Sequence, residues 1–152
     1  MTIGELAFSP ATAQDINAMW EIDKLCFEPE IAYTADVFYY HLLVNRDPAF
    51  VARGAGEKVV GFVLTAMEPR KKGTIVTIDI LPEWRQKGVG SALMALAESA
   101  LLKRGARKIV LQASVKNSAA ISFYEKLGYK KTKTIKDYYV PGKHAFQFEK
   151  TV

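Results

Sequence analysis

A chain of 152 residues with 49% apolar and 24% charged side chains has the size and balance of an ordinary globular protein, so we expect a single domain over residues 1–152. The single cysteine, Cys26, excludes an internal disulfide, no apolar run has the length of a membrane span, and residues 1–5 lack the pattern of a signal peptide; we therefore expect a cytoplasmic protein. The formal charge of +5 favours anionic partners without naming one.

Apolar residues at alternating or helical spacing predict the elements in chain order. We expect strands at residues 5–9, 49–53, 58–66, 74–80, 108–114, 129–135 and 144–149, with a turn at 70–73. We expect helices at about residues 13–25, 34–45, 89–103 and 118–127, the last of them capped by Asn117 and ended by Gly128. The order β-α-α-β-β-β-α-β-α-β-β predicts an α/β (α+β) fold, in which helices cover both faces of a mixed, mostly antiparallel sheet.

Two glycines join the strand at 74–80 to the long helix that follows it. A strand that turns through glycines into a helix directs free backbone N–H groups and the positive end of the helix dipole at one place, which favours a phosphate. Neither the P-loop pattern nor the complete dinucleotide fingerprint is present. A plain tight turn would use the same glycines, so the spacing alone leaves both interpretations open.

The pattern Arg85-x-x-Gly88-x-Gly90 resembles the Gln/Arg-x-x-Gly-x-Gly/Ala motif of the GNAT acyltransferase superfamily. A second block, residues 117–129, is similar to the Asn-x-x-Ala-x-x-x-Tyr-x-x-x-Gly-Phe/Tyr block of the same enzymes, and most closely to the RimI/Ard1 branch of N-terminal protein acetyltransferases. The segment 136–142 and the tripeptide at 28–30 add weaker similarities to that branch. Together these matches cover nearly the whole chain.

The resemblance implies acetyl-CoA as the cofactor. We expect no metal, because the sequence has no His/Cys cluster. The resemblance further implies that a strand backbone binds the pantetheine arm, that the glycine loop holds the pyrophosphate, and that the α-helical block contacts the arm, the sulfur and an adenosine phosphate. The implied cofactor-binding residues are Ile78, Asp79, Ile80, Gln86, Lys87, Gly88, Val89, Gly90, Ser91, Asn117, Tyr124 and Lys126. Without a cofactor role, Asn117 would still cap its helix, and Lys126 would be an ordinary solvated lysine.

The resemblance also implies that Tyr124 is the general acid that protonates the leaving thiolate, and that a backbone N–H near Ile80 stabilises the oxyanion. An aromatic residue at helical spacing is otherwise part of the core, but a tyrosine hydroxyl needs a polar environment, which a cofactor cleft supplies.

The general base is the open part of the mechanism. Relatives carry a glutamate or histidine where this chain has Gln112, and some use a titratable residue where Thr74 stands; neither residue accepts a proton at neutral pH. Either Gln112 positions a water for an α-amine that is already partly neutral, or Glu30, Asp79 or, least favoured, His144 is the base. A carboxylate in a buried strand is costly, so Asp79 either pairs with a nearby lysine or arginine or has a function.

The same resemblance implies a narrow entrance for a protein or peptide N-terminus, formed where the loop after the first helix faces a tyrosine pair. The implied substrate-binding residues are Phe27, Glu28, Pro29, Glu30, Tyr33, Tyr138 and Tyr139. The alternatives are an enzyme that acetylates lysine or a small amine, and a CoA-binding module without catalysis.

Basic residues crowd at 103–108 and at 126–136, which indicates solvated faces, attraction of a polyanionic cofactor, or proximity to the ribosome. We expect no membrane partner and no specific nucleic acid, because the basic residues carry no recognised nucleic-acid-binding motif.

Overall fold

A computed structural model describes residues 5–152 of the chain, which form one seven-stranded sheet and four α-helices. The strands are β1 (Ala7–Pro10), β2 (Ala49–Arg53), β3 (Val59–Glu68), β4 (Lys72–Ile80), β5 (Lys108–Ser114), β6 (Lys130–Val140) and β7 (Lys143–Thr151). The helices are α1 (Ile16–Cys26), α2 (Ala35–Tyr39), α3 (Val89–Lys103) and α4 (Ser118–Lys126). The predicted order of elements is confirmed.

The sheet has the order β1-β2-β3-β4-β5-β7-β6, and β4 and β5 form its parallel pair. The remaining neighbours are antiparallel, as predicted. Helices α1 and α3 both pack on β3 and β4, and they do so from opposite faces of the sheet. On the face of α1 and α2, the rings of Phe38 and Phe62 meet edge to face at 5.7 Å. On the α3 face, Leu101 lies only 3.0 Å from the place of a Cβ at Gly73, so this strand position requires glycine for close helix packing.

Strands β4 and β5 stop pairing a few residues after they begin. Their ladder covers only Lys72–Thr74 on β4 and Lys108–Val110 on β5. Between β3 and β4 the register shifts so that Thr77 and Ile75 face consecutive residues of β3, which leaves Val76 as the extra residue of a bulge. Because a bulge bends and twists its strand, the rest of β4 diverges from β5. The centre of the sheet therefore opens.

A second irregularity lies at the end of β6. The pairing with β7 is interrupted between Ile135 and Val140, and Asp137 has a left-handed φ of 55° there. The backbone N–H of Asp137 donates to Nδ1 of His144 at 2.9 Å, and the N–H of Gly142 donates to the Asp137 carboxylate at 2.7 Å. These bonds hold residues 136–139 in a bulge, so β6 extends to Val140 instead of ending at 135 as predicted.

Two other predicted boundaries were displaced. The second helix was expected at 34–45, but α2 is followed by a π-helical turn over Tyr40–Val44. The Asn45 N–H donates to the carbonyl of Tyr40, five residues back, and the Asp47 carboxylate binds both Asn45 and His41, which accounts for the wider turn. The turn expected at 70–73 occupies Pro69 to Lys71, because Lys72 already pairs with Glu68.

Two aspartates are buried against each other between α1 and β4. Asp23 is 0% and Asp79 is 2% exposed, and within residues 5–152 neither forms an ion pair with a lysine or arginine. The Thr77 hydroxyl donates to Oδ1 of Asp79 at 2.7 Å and lies 3.5 Å from Oδ1 of Asp23. Burial, and then the neighbouring Asp23, raise the pKa of Asp79 well above its usual range. Of the two alternatives for Asp79, the salt bridge is wrong: the neighbour of Asp79 is a second acid, which favours the neutral form of Asp79.

We expect Asp79→Asn to stabilise the fold at pH 8 by about 1–3 kcal/mol, the cost of a buried group without its full set of partners. A carboxyl whose pKa is raised by folding gives its full stability below the unfolded value of 3.8 and loses it as the pH rises through the folded value. The advantage of the variant should therefore grow as the pH rises from about 4 to 8, which urea unfolding at each pH would measure. An advantage that does not change with pH would contradict this origin.

Candidate active site

A cavity of about 360 Å³ lies where β4 and β5 diverge. Its walls are the end of α1, the loop after α1, the middle of β4, the end of β5, the first turns of α4 and the bulge of β6. Because this is the point at which the sheet opens, the cavity lies between residues from both halves of the chain.

The cavity collects most of the predicted entrance residues and part of the α4 block, whereas Ile80 and the glycine loop at residues 86–91 do not line it. The predicted residues that line it are Phe27, Glu28, Tyr33, Ile78, Gln112, Asn117, Tyr124, Tyr138 and Tyr139. Pro29 and Glu30 are exposed and do not line it, Asp79 is buried beside Thr77, and Lys126 is exposed on α4. His144 also lies outside the lining and holds the β6 bulge.

Tyr124 is almost completely buried, with 8% of its surface exposed. Its ring packs against Tyr129 and Phe148 at centroid distances of 6.1 and 6.2 Å. Its hydroxyl makes no hydrogen bond within the described part of the chain, and the residue lines the cavity. Burial raises the pKa of Tyr124 above its usual value, so the hydroxyl keeps its proton.

Gln112 connects the cavity wall to a chain of amides. Its Oε1 accepts a hydrogen bond from the Tyr138 hydroxyl at 3.3 Å, and its Nε2 donates to Oε1 of Gln147 at 3.1 Å. Gln147 in turn donates to Glu149 at 3.2 Å. This arrangement needs a group that both accepts and donates, which an amide can do and a carboxylate cannot. Sequence reasoning missed Gln147, although a second glutamine in an apolar strand was a signal for it.

The loop after α1, residues 27–33, is here called the substrate loop, and it is tied at both ends. The Lys143 ammonium of β7 bonds the carboxylate of Glu28, a residue of the cavity lining. At the other end the Tyr33 N–H donates to Oδ2 of Asp23 at 2.7 Å, and the Tyr33 hydroxyl donates to the Val76 carbonyl at 3.3 Å. Lys143 was not predicted, because no local pattern links it to a loop 115 residues away.

Three tyrosines form the cavity wall beside the substrate loop and the β6 bulge. Tyr138 and Tyr139 lie in the β6 bulge with their rings edge to face at 4.9 Å, and Tyr33 lies on the substrate loop. Burial raises the pKa of Tyr139 to about 12 and raises the pKa values of Tyr33 and Tyr138 as well. All three hydroxyls therefore remain neutral hydrogen-bond donors at physiological pH.

The glycine loop gives α3 a free N-terminus. Gly88 has a φ of 87° and Gln86 one of 58°, both in the left-handed region, and no side chain caps the helix. The first N–H groups of a helix lack partners within it, so those at the start of α3 are available to an anion. A Cβ at Gly90 would lie 3.1 Å from the ring of Phe123, so glycine allows α4 to approach this end.

The unpaired stretch of β4 leaves a small set of backbone groups free. The Leu81 N–H donates to β3, and by strand alternation the backbone groups of Ile78 and Ile80 point the other way, into the opening. Arg85 occupies the Ile80 carbonyl with its Nε at 2.9 Å and also contacts the sulfur of Cys26 at 3.4 Å. Both groups of Ile78 and the Ile80 N–H remain. Free strand amides followed by a free helix N-terminus fit a cofactor with an amide-bearing arm and a pyrophosphate.

Within residues 5–152, no helix is long and apolar enough to cross a membrane. No three or more His, Cys, Asp or Glu side chains gather there in a way that could hold a metal ion.

The chain is similar to known acetyltransferases over most of its length. Residues 16–129 match the model of the acetyltransferase (GNAT) family. An N-alpha-acetyltransferase of Sulfurisphaera tokodaii is 32% identical over 148 residues, which cover 90% of this chain and 87% of that protein.

Solved structures share the fold. The crystal structure of Ard1 from Thermoplasma volcanium has a TM-score of 0.85 at 25% identity and covers 97% of this chain and 98% of its own. The NatC complex bound to Gag peptide and CoA has a chain with a TM-score of 0.86 at 22% identity, covering 97% of this chain and 99% of that one. Because the family model spans most of the sequence, this chain belongs to the acetyltransferase (GNAT) family.

Proposed function

We propose that this chain is an acetyl-CoA-dependent N-terminal acetyltransferase, which moves an acetyl group from acetyl-CoA to the α-amine of a protein or peptide. The observation that carries the proposal is the tyrosine-lined cavity, which joins free backbone groups of β4 to the side of the cavity where Lys143 binds Glu28, and we take this side as its mouth. Such a mouth suits a flexible chain end better than a lysine on a folded surface. Relatives named N-alpha-acetyltransferases support the same assignment.

Acetyl-CoA supplies an activated thioester when it is bound. Ile78 and Ile80 hold the arm through their backbone groups, and the loop from Gln86 through Lys87, Gly88, Val89 and Gly90 to Ser91 holds the pyrophosphate. The Asn117 side-chain oxygen accepts from the N–H of Ala120 at 3.1 Å, which leaves its NH₂ group to donate into the cavity. Lys126 offers an exposed cation for an adenosine phosphate.

Tyr124 is the general acid. Its hydroxyl is protonated, free of partners in the described chain and exposed to the cavity, so it donates its proton to the sulfur of the departing thiolate.

The acceptor amine enters the site in its neutral form. Of the candidates for the base, Glu30 and His144 lie outside the cavity lining, and the Asp79 carboxyl lies beside Thr77 in a setting that favours its neutral form. Gln112 orients the Tyr138 hydroxyl and takes no proton. An unperturbed α-amine has a pKa of about 7.7–8.0, so a useful fraction is neutral in water.

We also infer that the enzyme works in the cytoplasm, close to the ribosome. Six basic residues lie around the ends of β3 and α3, and none of them pairs with a carboxylate among residues 5–152; they are Arg46, Arg70, Lys71, Lys103, Arg104 and Arg107. The Arg107 N–H donates to the Lys71 carbonyl at 2.8 Å, which joins the two loops. This basic end lies roughly 20 Å along β4 from Ile78, too far to serve the cofactor. It suits a phosphate backbone without sequence preference.

The first test compares a peptide that has a free N-terminus and an internal lysine with the same peptide blocked at its N-terminus. We expect release of CoA thiol with the free peptide only, because the mouth admits a chain end. Equal release from both peptides would instead indicate lysine acetylation, and release from neither would contradict the peptide assignment.

We expect Tyr124→Phe to lower kcat by about 10²–10⁴-fold, the usual contribution of a general acid, while the KM for acetyl-CoA changes less than about twofold. Tyr129→Phe is the matched control, because the Tyr129 hydroxyl bonds Glu98 at 2.7 Å and does not line the cavity. The control should lose stability and keep kcat. An undiminished kcat in Tyr124→Phe would remove the residue from the mechanism.

A charge-matched pair of triple variants tests the basic end. We expect Lys103→Gln, Arg104→Gln and Arg107→Gln together to weaken ribosome binding at least about tenfold and to flatten its salt dependence. Lys130→Gln, Lys131→Gln and Lys133→Gln on β6 lower the formal charge equally, from +5 to 5 − 3 = +2, and should bind like the wild type. Equal losses in both variants would show that net charge alone is responsible.

A further inference from the structure

The buried aspartate pair lies directly behind the substrate loop. Asp23 is in the last turns of α1, and Asp79 is in the part of β4 that has no β5 partner. Oδ2 of Asp79 has no hydrogen-bond partner in the described chain. The Thr77 hydroxyl has only one proton, and its distances of 2.7 Å to Asp79 and 3.5 Å to Asp23 assign that proton to Asp79. Thr77 also lines the cavity, so the pair is one side chain away from it.

The surroundings of the pair do not neutralise two negative charges. The titratable groups that face it are Cys26 on α1, Tyr33 on the substrate loop, Arg85 after β4 and Tyr124 on α4. Arg85 is the cation among them, and its guanidinium is already bonded to the Ile80 carbonyl and the Cys26 sulfur. Two carboxylates buried without a paired cation cannot both ionise at low cost, so they retain a proton between them.

Asp23 connects the aspartate pair to the substrate loop. Its Oδ2 accepts the Tyr33 N–H at 2.7 Å, which is short for a backbone donor. The Tyr33 hydroxyl then reaches back to the Val76 carbonyl in the β4 bulge. One residue of the cavity wall is thus fixed to α1 by its backbone and to β4 by its side chain.

We propose that Asp23 and Asp79 share a single proton and act together as positioning residues that hold the substrate loop against β4 and thereby set the affinity for the acceptor peptide. The inference rests on the proposed function of the cavity. The contact by which the aspartate pair holds Tyr33 is here called the latch. The groups assigned to the cofactor are backbone atoms of β4 and the start of α3, which the latch does not move. Losing the shared proton at high pH would set two carboxylates against each other, turn Asp23 away from Tyr33 and loosen the loop.

The first experiment uses Asp23→Asn and follows two readouts. We expect the KM for a peptide to rise about tenfold, because the amide oxygen is a weaker acceptor for the Tyr33 N–H than the carboxylate that it replaces, while the KM for acetyl-CoA stays within about twofold. We also expect faster amide hydrogen exchange at Tyr33, measured by NMR. Asp47→Asn is the matched control, since Asp47 is also buried but binds His41, Asn45 and the Met67 N–H away from the loop. The control should lose stability and change neither readout.

The second experiment uses Asp79→Asn, whose amide can donate to Asp23 and accept from Thr77 at any pH. In the wild type, the peptide KM and the Tyr33 exchange rate should both rise at alkaline pH relative to this variant. Exchange is measured without substrate, so it tests the latch even if the wild type acetylates no peptide.

Three results would overturn the proposal. They are unchanged Tyr33 exchange in Asp23→Asn, equal changes in the two KM values, and identical pH profiles for the wild type and Asp79→Asn. An inactive wild type with the expected exchange pattern would contradict the proposed function and leave the latch in place.

Discussion

The separation of β4 from β5 after Thr74 is the constraint on which the rest of the site depends. A buried strand that no longer pairs with its neighbour has backbone N–H and C=O groups without partners, and each such group costs free energy. The chain satisfies two of the carbonyls with side chains, Val76 by Tyr33 and Ile80 by Arg85. The groups that it leaves free are those a bound amide-bearing arm can satisfy. The opening is therefore both a cost to the fold and the source of its binding capacity.

Most polar side chains that line the cavity are neutral. Its tyrosines are buried enough that their pKa values are raised, and the buried acids behind it are Asp79, whose neutral form is favoured, and Asp23, which is bonded to the loop. The charged residues of the lining are Lys116 and Glu28, and Glu28 is paired with Lys143 and partly in solvent. A mostly neutral lining does not by itself lower the activation barrier of the reaction, but it keeps the reacting groups in defined protonation states.

The features of the site that could be predicted from the sequence are local ones. The glycine loop and the α4 block each lie within about a dozen residues, so their spacing already contains the turn at Gly88, the cap at Asn117 and the inward position of Tyr124. The contacts that complete the site join distant parts of the chain. Asp23 and Thr77 are 54 residues apart, and Glu28 and Lys143 are 115 apart. No periodicity encodes such pairs, so the pairing of Asp23 with Asp79 was not predicted and Lys143 was missed.

Gln112 connects the architecture of the site to its choice of substrate. An amide between the Tyr138 hydroxyl and Gln147 accepts from one and donates to the other, whereas a carboxylate there would face the oxygen of Gln147 with no proton to give. Under the proposed mechanism, Gln112 orients a tyrosine and takes no proton, and the site works without a base. At pH 7.5 about a third of an α-amine with a pKa near 7.8 is neutral, against about one part in a thousand of a lysine with a pKa near 10.4. A site without a base thus favours α-amines by roughly 300-fold before any contact with the peptide is made. Selectivity for chain ends follows from the missing base as much as from the narrow mouth.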